Sequence, residues 1–444
     1  MRRETVAAVG LGGEPGLATP TSTISSDVPA PEKLPFAAPG QRGTRLAGKR
    51  AGMVVFSSYP ADPRPRRAAE ALLDEGMQID LICEADDPLP QREVRSRLSI
   101  TRIPIRHIRG GALSYAYQYV SFILISAATF AWRSLRRRYD LIYVHNMPDI
   151  LVLAALVPKL FGARVILDLH DPMPELMRTI FGLKENSLGV RVIRWLEKWS
   201  LARADRVITV NIAFRRLFTD RGCPDDKIGI VMNAPDDRIF PYREATLNPR
   251  RMAGEPFVVM YHGSLVERNG LELAIDALAR LRSTMPEARL YIYGRKTPYL
   301  EQMMEKVRAL GLTDTVRYLG VKTLEELVHE IESCDLGVIP NPRNAFTEIN
   351  TPTRIFEYLA LGKPVVAPRT TGIQDYFGPQ SLLFFEPGNA DDLARMIAHA
   401  AEQPQETMAC AARGQQVYRA HNWQQERETL IYLVASLLTA KPAY

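Results

Sequence analysis

Asn350-Thr-Pro-Thr-Arg-Ile-Phe-Glu-Tyr-Leu-Ala-Leu-Gly-Lys-Pro-Val-Val-Ala367 carries three structural signals in one run. Thr351 and Pro352 read as the N-cap and first position of a helix, Gly362 as its end, and Lys363-Pro364 as the turn into a β-branched strand. A loop, a helix and a strand in that order are a building step of a parallel α/β sheet. The start of such a helix also suits an anion: the amides of Thr353 and Arg354 point out of it, the dipole favours a diphosphate, and Arg354 adds a mobile positive charge. Glu357, one turn further in, has the reach to accept two hydroxyl hydrogen bonds from a ribose. By geometry alone a purely structural role for the run is the favoured reading.

The same grammar extends in both directions. In the second half, strand-like runs at 257–263, 288–294, 315–320, 334–340 and 381–387 surround a helical period at 271–282. In the first half, runs at 53–57, 78–83, 140–145, 163–170, 205–210 and 227–233 alternate with helices, the first over 65–75. Strands alternating with helices imply parallel sheets covered on both faces. The fold class is therefore α/β, with two Rossmann-like doubly wound domains facing a central cleft. Residues 1–50, rich in Ala, Pro, Gly, Ser and Thr, are expected to be disordered. Residues 51–234 form the first domain and 235–256, with four prolines, the linker. The second domain spans 257–415, and 416–444 is a terminal helix. Open sheets of this kind bind ligands at the carboxyl ends of their strands, so the cleft is the expected site.

Composition narrows little. The 444 residues carry a net charge of +6, a mild imbalance of 56 basic over 50 acidic side chains. No basic-aromatic stripe or nucleic-acid motif occurs, so no nucleic-acid partner is expected. The four cysteines, Cys83, Cys223, Cys334 and Cys410, form no CxxC pair, which argues against a zinc site and a secreted disulfide framework. No apolar stretch follows Met1-Arg2-Arg3, so a secretory signal is not expected and a cytoplasmic location is. One segment breaks the pattern: the 21 residues 112–132 carry no charge, and Arg133, Arg136, Arg137 and Arg138 follow. Lying inside the strand-helix alternation, it reads as a helix with an exposed apolar face in the bilayer interface, so that residues 112–138 meet a membrane surface. A buried core helix is the alternative.

The run 350–367 resembles the C-terminal signature of family-four retaining glycosyltransferases of the two-Rossmann-domain (GT-B) kind, which carry a P-x-K/R-x-x-E-Y-x-A-x-G-K/R-P-V-V block. That resemblance makes Glu357 the ribose ligand and places Asn350, Thr351 and Thr353 at the donor. Where the family often has a second glutamate, this chain has Ile349, with Glu348 beside it as the candidate for the donor sugar. Tyr261-His-Gly-Ser-Leu-Val-Glu-Arg-Asn-Gly270 is similar to the family's glycine turn. Gly263 would let the backbone approach the phosphates. Ser264 and Asn269 replace the family's arginine and lysine, leaving Arg268 as the cation for the leaving diphosphate. Gly294 and Val321 match turns at the donor. His170 resembles the strand-end histidine that contacts the donor sugar near the reacting carbon. Asp62, Arg64 and Arg67 belong to a D-P-R run resembling that of a polysaccharide-assembly subgroup; with His145, Asn146 and Asp171 they would face the acceptor.

The resemblance runs from about Gly52 to His421. It implies retaining transfer from a UDP- or GDP-linked sugar, without metal or cofactor, with His170, Arg268 and Arg354 at the reacting centre. The acceptor would be a lipid-linked molecule or a glycan in cell-surface polysaccharide or glycolipid synthesis, and the protein peripheral at the inner face of the cytoplasmic membrane. A nucleotide-sugar epimerase or glycogen-synthase-like enzyme would share the fold. A catalytically degenerate sugar-nucleotide-binding scaffold is the rival from another class.

Overall fold

The computed structural model of the chain describes residues 44–85, 89–105, 112–247 and 255–440. Its first half runs β1 (Arg50–Ser58), α1 (Pro63–Asp74), β2 (Gln78–Glu84), β3 (Arg92–Arg95), β4 (Leu98–Ile103), α2 (Ala112–Ser134) and β5 (Leu141–His145). A 3-10 stretch (Asp149–Ala155) leads into α3 (Leu156–Leu160), β6 (Arg164–Leu169), α4 (Met173–Phe181), α5 (Leu188–Arg203), β7 (Arg206–Thr209), α6 (Ile212–Asp220) and β8 (Ile228–Ile230). The strands lie in the order β3-β4-β2-β1-β5-β6-β7-β8. Only the β3–β4 ladder is antiparallel. That edge pair was not foreseen, because Arg92-Glu-Val-Arg95 is mostly exposed and carries no apolar period.

The second half runs β9 (Phe257–His262), α7 (Leu271–Leu281), β10 (Ala288–Tyr293), α8 (Pro298–Ala309), β11 (Val316–Tyr318), α9 (Leu324–Ser333), β12 (Leu336–Val338) and α10 (Thr353–Ala360). There follow β13 (Val365–Pro368), α11 (Thr371–Gln374), β14 (Leu383–Phe385), α12 (Ala390–Glu402), α13 (Pro404–Ala420) and α14 (Trp423–Thr439). The sheet order is β11-β10-β9-β12-β13-β14, all parallel. Strand order reverses beside β1 in one sheet and beside β9 in the other. Those switch points are where a doubly wound sheet opens a crevice for ligands.

Three local expectations change. Disorder over 1–50 lies outside the described residues up to 43, but 44–50 are ordered: Leu46 is 1% exposed in the core, and Arg45 pairs with Glu75 at 3.0 Å. The described part of the linker, 235–247, is not free chain, since Phe240 packs into the core beside α10 and the Arg243 amide donates to Ala360 O at 2.7 Å. The terminal segment is two helices. The first, α13, packs in the second domain. The second, α14, returns to the first sheet, where Leu430, Ile431, Val434 and Leu437 join the core under α1.

Helix α2 has one buried and one exposed apolar side. Phe122 and Phe130 are buried, and Phe56 meets Phe122 edge to face at 5.0 Å. Each such ring stabilises by roughly 1.5–3 kcal/mol. Tyr117, Val120, Leu124 and Ile125 remain exposed on the other side. Among the described residues no helix is long and apolar enough to cross a membrane.

Candidate functional site

Strand β6 delivers His170 and Asp171 at its carboxyl end, immediately before α4 begins behind Pro172. Asn146, at the end of β5, fixes that turn. Its Oδ1 accepts from the His170 amide at 3.1 Å, while its Nδ2 donates to Asp171 O at 2.6 Å and Asp149 Oδ1 at 3.0 Å. At 1% exposure Asn146 positions the loop rather than meeting an acceptor. Burial, followed by the charge of Arg64, lowers the His170 imidazole to about 4, and its Nδ1 is buried without a hydrogen-bond partner. A neutral imidazole can donate to or accept from a sugar hydroxyl. Burial pushes the Asp171 carboxyl up to about 7, opposed first by Arg268.

Beneath this turn lies a buried charge network. Arg64 Nη2 donates to Asp168 Oδ1 at 2.6 Å, and its Nη1 donates to Val231 O at 3.1 Å and Asn233 Oδ1 at 2.9 Å. Tyr143 donates to Asp168 Oδ2 at 3.0 Å, and His145, stacked on Tyr143, places Nδ1 3.3 Å from the same oxygen. Burial alone would raise Asp168, yet Arg64 and His145 hold it well below the usual carboxylate range. Contrary to the sequence expectation, Arg64 and His145 therefore do not face an acceptor: Arg64 is hydrogen-bonded to Asp168, a partner that sequence spacing does not reveal, and His145 is fully buried beside the same carboxylate. Arg67 is likewise committed, donating to Ala234 O and standing over the Trp423 ring at 5.2 Å. Burial, with repulsion from Arg64, lowers it to about 10. Asp62 caps α1, accepting from the Arg64 amide at 3.2 Å and from Ser57 Oγ at 2.8 Å. Of the six residues assigned to the acceptor, Asp62 and Asp171 retain partial exposure.

In the second domain two glycines stack at the mouth of the sheet. Gly294, at φ 153°, has room for no side chain: a Cβ there would lie 2.2 Å from Gly263 O. Gly263, at φ 118°, is exposed after β9, and a Cβ would meet Arg354 Cδ at 3.3 Å. Arg354 lies directly behind it. The expectation of a mobile cation is corrected, because Arg354 donates to His262 O at 3.0 Å and Asn341 Oδ1 at 3.2 Å and stands over the Tyr261 ring at 4.9 Å. Glu357 sits one turn into α10, its Oε2 3.4 Å from His262 Nε2. Burial pushes its carboxyl up to about 7. Arg268 is half-buried and makes no hydrogen bond or ion pair among the described residues, which leaves all its donors available.

Other donor assignments fare differently. No side chain caps the start of α10 at Thr353, and Pro352 is its N-cap. Thr351 is not the cap: its hydroxyl donates to Gly372 O at 2.7 Å and accepts from Asn211 Nδ2 at 3.2 Å. Glu348 is not free to replace a missing glutamate. One oxygen accepts from Thr371 Oγ1 at 2.7 Å and the other from Arg343 Nε at 2.9 Å. Asn350 is half-buried in the same loop, and Val321 stands exposed past Gly320, whose carbonyl accepts from the Gly294 amide at 3.0 Å. His262 and Asn341 were missed; His262 lay inside the glycine-turn motif, whereas Asn341 had no sequence signal.

The domains meet through the loop before α10. Asn211 Nδ2 donates to Ile349 O at 2.9 Å, Tyr376 Oη accepts from the Ile212 amide at 3.0 Å, and Thr179 donates to Asn344 at 3.1 Å. Across this junction Arg268 acts electrostatically on Asp171, and Arg67 on Glu357. The strand-end His-Asp pair of one sheet thus faces the glycine turn, cation and carboxylate of the other.

Residues 61–234 match the family described as glycosyl transferase 4-like domain, and residues 243–417 match glycosyl transferases group 1. A D-inositol 3-phosphate glycosyltransferase of Corynebacterium urealyticum is 26% identical over 425 residues, covering 90% of this chain and 93% of that one. A mannosylfructose-phosphate synthase of Agrobacterium fabrum is 28% identical, but the match spans only 42% of each chain. Among solved structures, the sucrose-phosphate synthase of Thermosynechococcus elongatus aligns with a TM-score of 0.70 at 18% identity, covering 88% of this chain and all of that one. The Anabaena HepE protein in complex with UDP-glucose aligns at 0.64 and 18%, covering 87% and 99%. At these identities the structural likeness establishes the fold.

Proposed function

Because this chain belongs to the group 1 glycosyltransferases and has their GT-B fold, we propose that it transfers a sugar, with retention of configuration, from a UDP- or GDP-linked donor to a lipid-linked or glycan acceptor. The observation that carries this reading is the arrangement of Gly263, Arg354 and Glu357 on one sheet opposite His170 and Asp171 on the other. The exposed Gly263 backbone and the uncapped start of α10 receive the diphosphate. Glu357 accepts from the ribose hydroxyls. Arg268, unpaired, meets the charge that grows on the departing diphosphate, an interaction strengthened in the transition state. Arg354 is too firmly held to swing, so it supports the Gly263 turn and adds a fixed positive field.

His170, neutral, positions the sugar next to the reacting carbon. The acceptor proton passes to the donor's own phosphate in front-face attack, so no protein base is assigned and neither metal nor cofactor is invoked. The solved HepE structure contains UDP-glucose, which supports a nucleotide-sugar donor here. The exposed apolar side of α2 and the arginines after it support a place at the inner face of the cytoplasmic membrane, in glycolipid or surface-polysaccharide assembly. Saturation-transfer NMR against UDP, GDP and ADP tests the donor site: selective binding of UDP or GDP is expected, and binding of none contradicts the reading. Binding without turnover of any donor favours a degenerate scaffold, for which Ser264 and Asn269, in place of cations, are the supporting observation.

A further inference from the structure

We propose that α5 is a second lipid-docking helix, acting beside α2, so that the first domain rests on an anionic bilayer through a two-helix face; this rests on the peripheral-membrane reading above. Of the 21 large apolar side chains exposed among the described residues, 13 fall between residues 117 and 195. They are not scattered. Helices α2 and α5 both pack against the 3-10 stretch at 149–155, and α4 packs against α5, so the three helices lie in one layer over one side of the sheet. On α5, Leu188, Val192 and Trp195 are 75%, 48% and 63% exposed at spacings of four and three, a stripe along the outer side. A buried-core role does not explain this stripe, because Val190, Leu201 and the aliphatic part of Glu197 already supply the inward face.

Charge identifies the occupant. Between residues 112 and 204 the exposed cations are Arg136, Arg137, Arg138, Lys184, Arg191, Lys198 and Arg203, whereas Glu185 is the one exposed carboxylate. Arg191 and Lys198 flank the α5 stripe without ion pairs among the described residues, and Arg136 lies over the exposed Trp132 ring at 3.6 Å. An apolar stripe rimmed by unpaired cations complements an anionic lipid surface: the stripe enters the interface and the cations stay at the headgroups.

The face also connects to the cleft. Helix α4 begins beside Asp171 and ends at Ile180 and Phe181, both exposed. Its nine residues span about 14 Å. An acceptor whose lipid stays in the bilayer therefore needs to lift its head only about that far to reach the strand end.

Sedimentation of the purified full-length protein with vesicles of phosphatidylcholine, alone or with about 30 mol% phosphatidylglycerol, tests the inference. Val192→Ser/Trp195→Ser is expected to lower the partition coefficient at least about tenfold. Arg191→Glu/Lys198→Glu should abolish the preference for phosphatidylglycerol, with melting temperature and nucleotide binding unchanged in both. Val120→Ser/Leu124→Ser on α2 serves as the comparison. If the α2 variant loses binding while both α5 variants behave like the parent, the α5 inference fails and the peripheral reading stands. If the parent sediments with neither vesicle, both fail. Self-association of the parent without lipid, abolished by the α5 variants, would assign the stripe to a second copy and overturn the proposal.

Discussion

His262 Nε2 lies 3.4 Å from Glu357 Oε2, yet the contact is not an ion pair. Burial, with Arg354 nearby, lowers the imidazole to about 3 and leaves it neutral, while burial pushes the glutamate up to about 7. The carboxylate proposed to hold the ribose is therefore desolvated before its ligand arrives.

That relationship separates stability from binding. A carboxyl raised from 4.5 to about 7 on folding contributes stability that is fully present below 4.5 and lost as pH rises through 7. Glu357→Gln should make the empty protein more stable above pH 8, on the order of 3 kcal/mol, with no difference at acid pH. The same substitution should weaken nucleotide binding about tenfold or more, since hydroxyl donors bond a carboxylate more strongly than an amide. Thermal melts at both pH values, with calorimetric titration of UDP and GDP, check this; unchanged affinity contradicts the ribose assignment.

Arg268→Ala is expected to lower donor turnover by about 10²–10³ while changing nucleotide affinity far less, as for loss of a group that acts on developing charge. Removing this cation also takes away the first charge opposing the rise of Asp171, so any activity limb governed by that carboxyl should move to higher pH. A pH profile of turnover reads both effects. Equal losses in affinity and turnover would place Arg268 in ground-state binding instead.

Arg64→Met should destabilise the fold by about 3–5 kcal/mol, because it leaves Asp168 buried without its cation. Denaturant unfolding measures this. A stability within about 0.5 kcal/mol of the parent would return Arg64 to the acceptor surface.

Gly294→Ala forces a Cβ to 2.2 Å from Gly263 O at a positive φ, whereas at Gly320, φ 84°, a Cβ meets nothing within 4 Å. The Gly294 variant should lose at least about 2 kcal/mol and its nucleotide binding; the Gly320 variant should lose only about 1 kcal/mol of backbone strain. Equal effects would show that the glycine stack does not shape the phosphate turn.

The fold was legible wherever the signal is local. Gly362 and Lys363-Pro364 end α10 and open β13 as the sequence reads, and β6 delivers His170 to a strand end for the same reason. Beyond the edge strand β3, which has no apolar period, the misreadings are non-local. Thr351 has the chemistry of a cap, but Asn211, 140 residues away, and Gly372 claim its hydroxyl. Arg64 sits in a surface-like Asp-Pro-Arg turn, but its partner Asp168 lies 104 residues on. Helix α14 is an ordinary amphipathic helix in sequence, and nothing local says that it covers the first sheet rather than the second. A single chain shows which residues can do chemistry; tertiary contacts decide which remain free to do it.

Donor turnover tests the assignment most directly. Purified protein is incubated with labelled UDP- and GDP-sugars and an extract of lipid-linked and glycan acceptors, and both released nucleotide and the anomeric configuration of the product are followed by NMR. Transfer from one donor class with the anomeric configuration kept, lowered by about 10²–10³ in Arg268→Ala and weakened in Glu357→Gln, is the expected result. A folded protein that binds the nucleotide but turns over no donor, or one whose product is inverted, would contradict it.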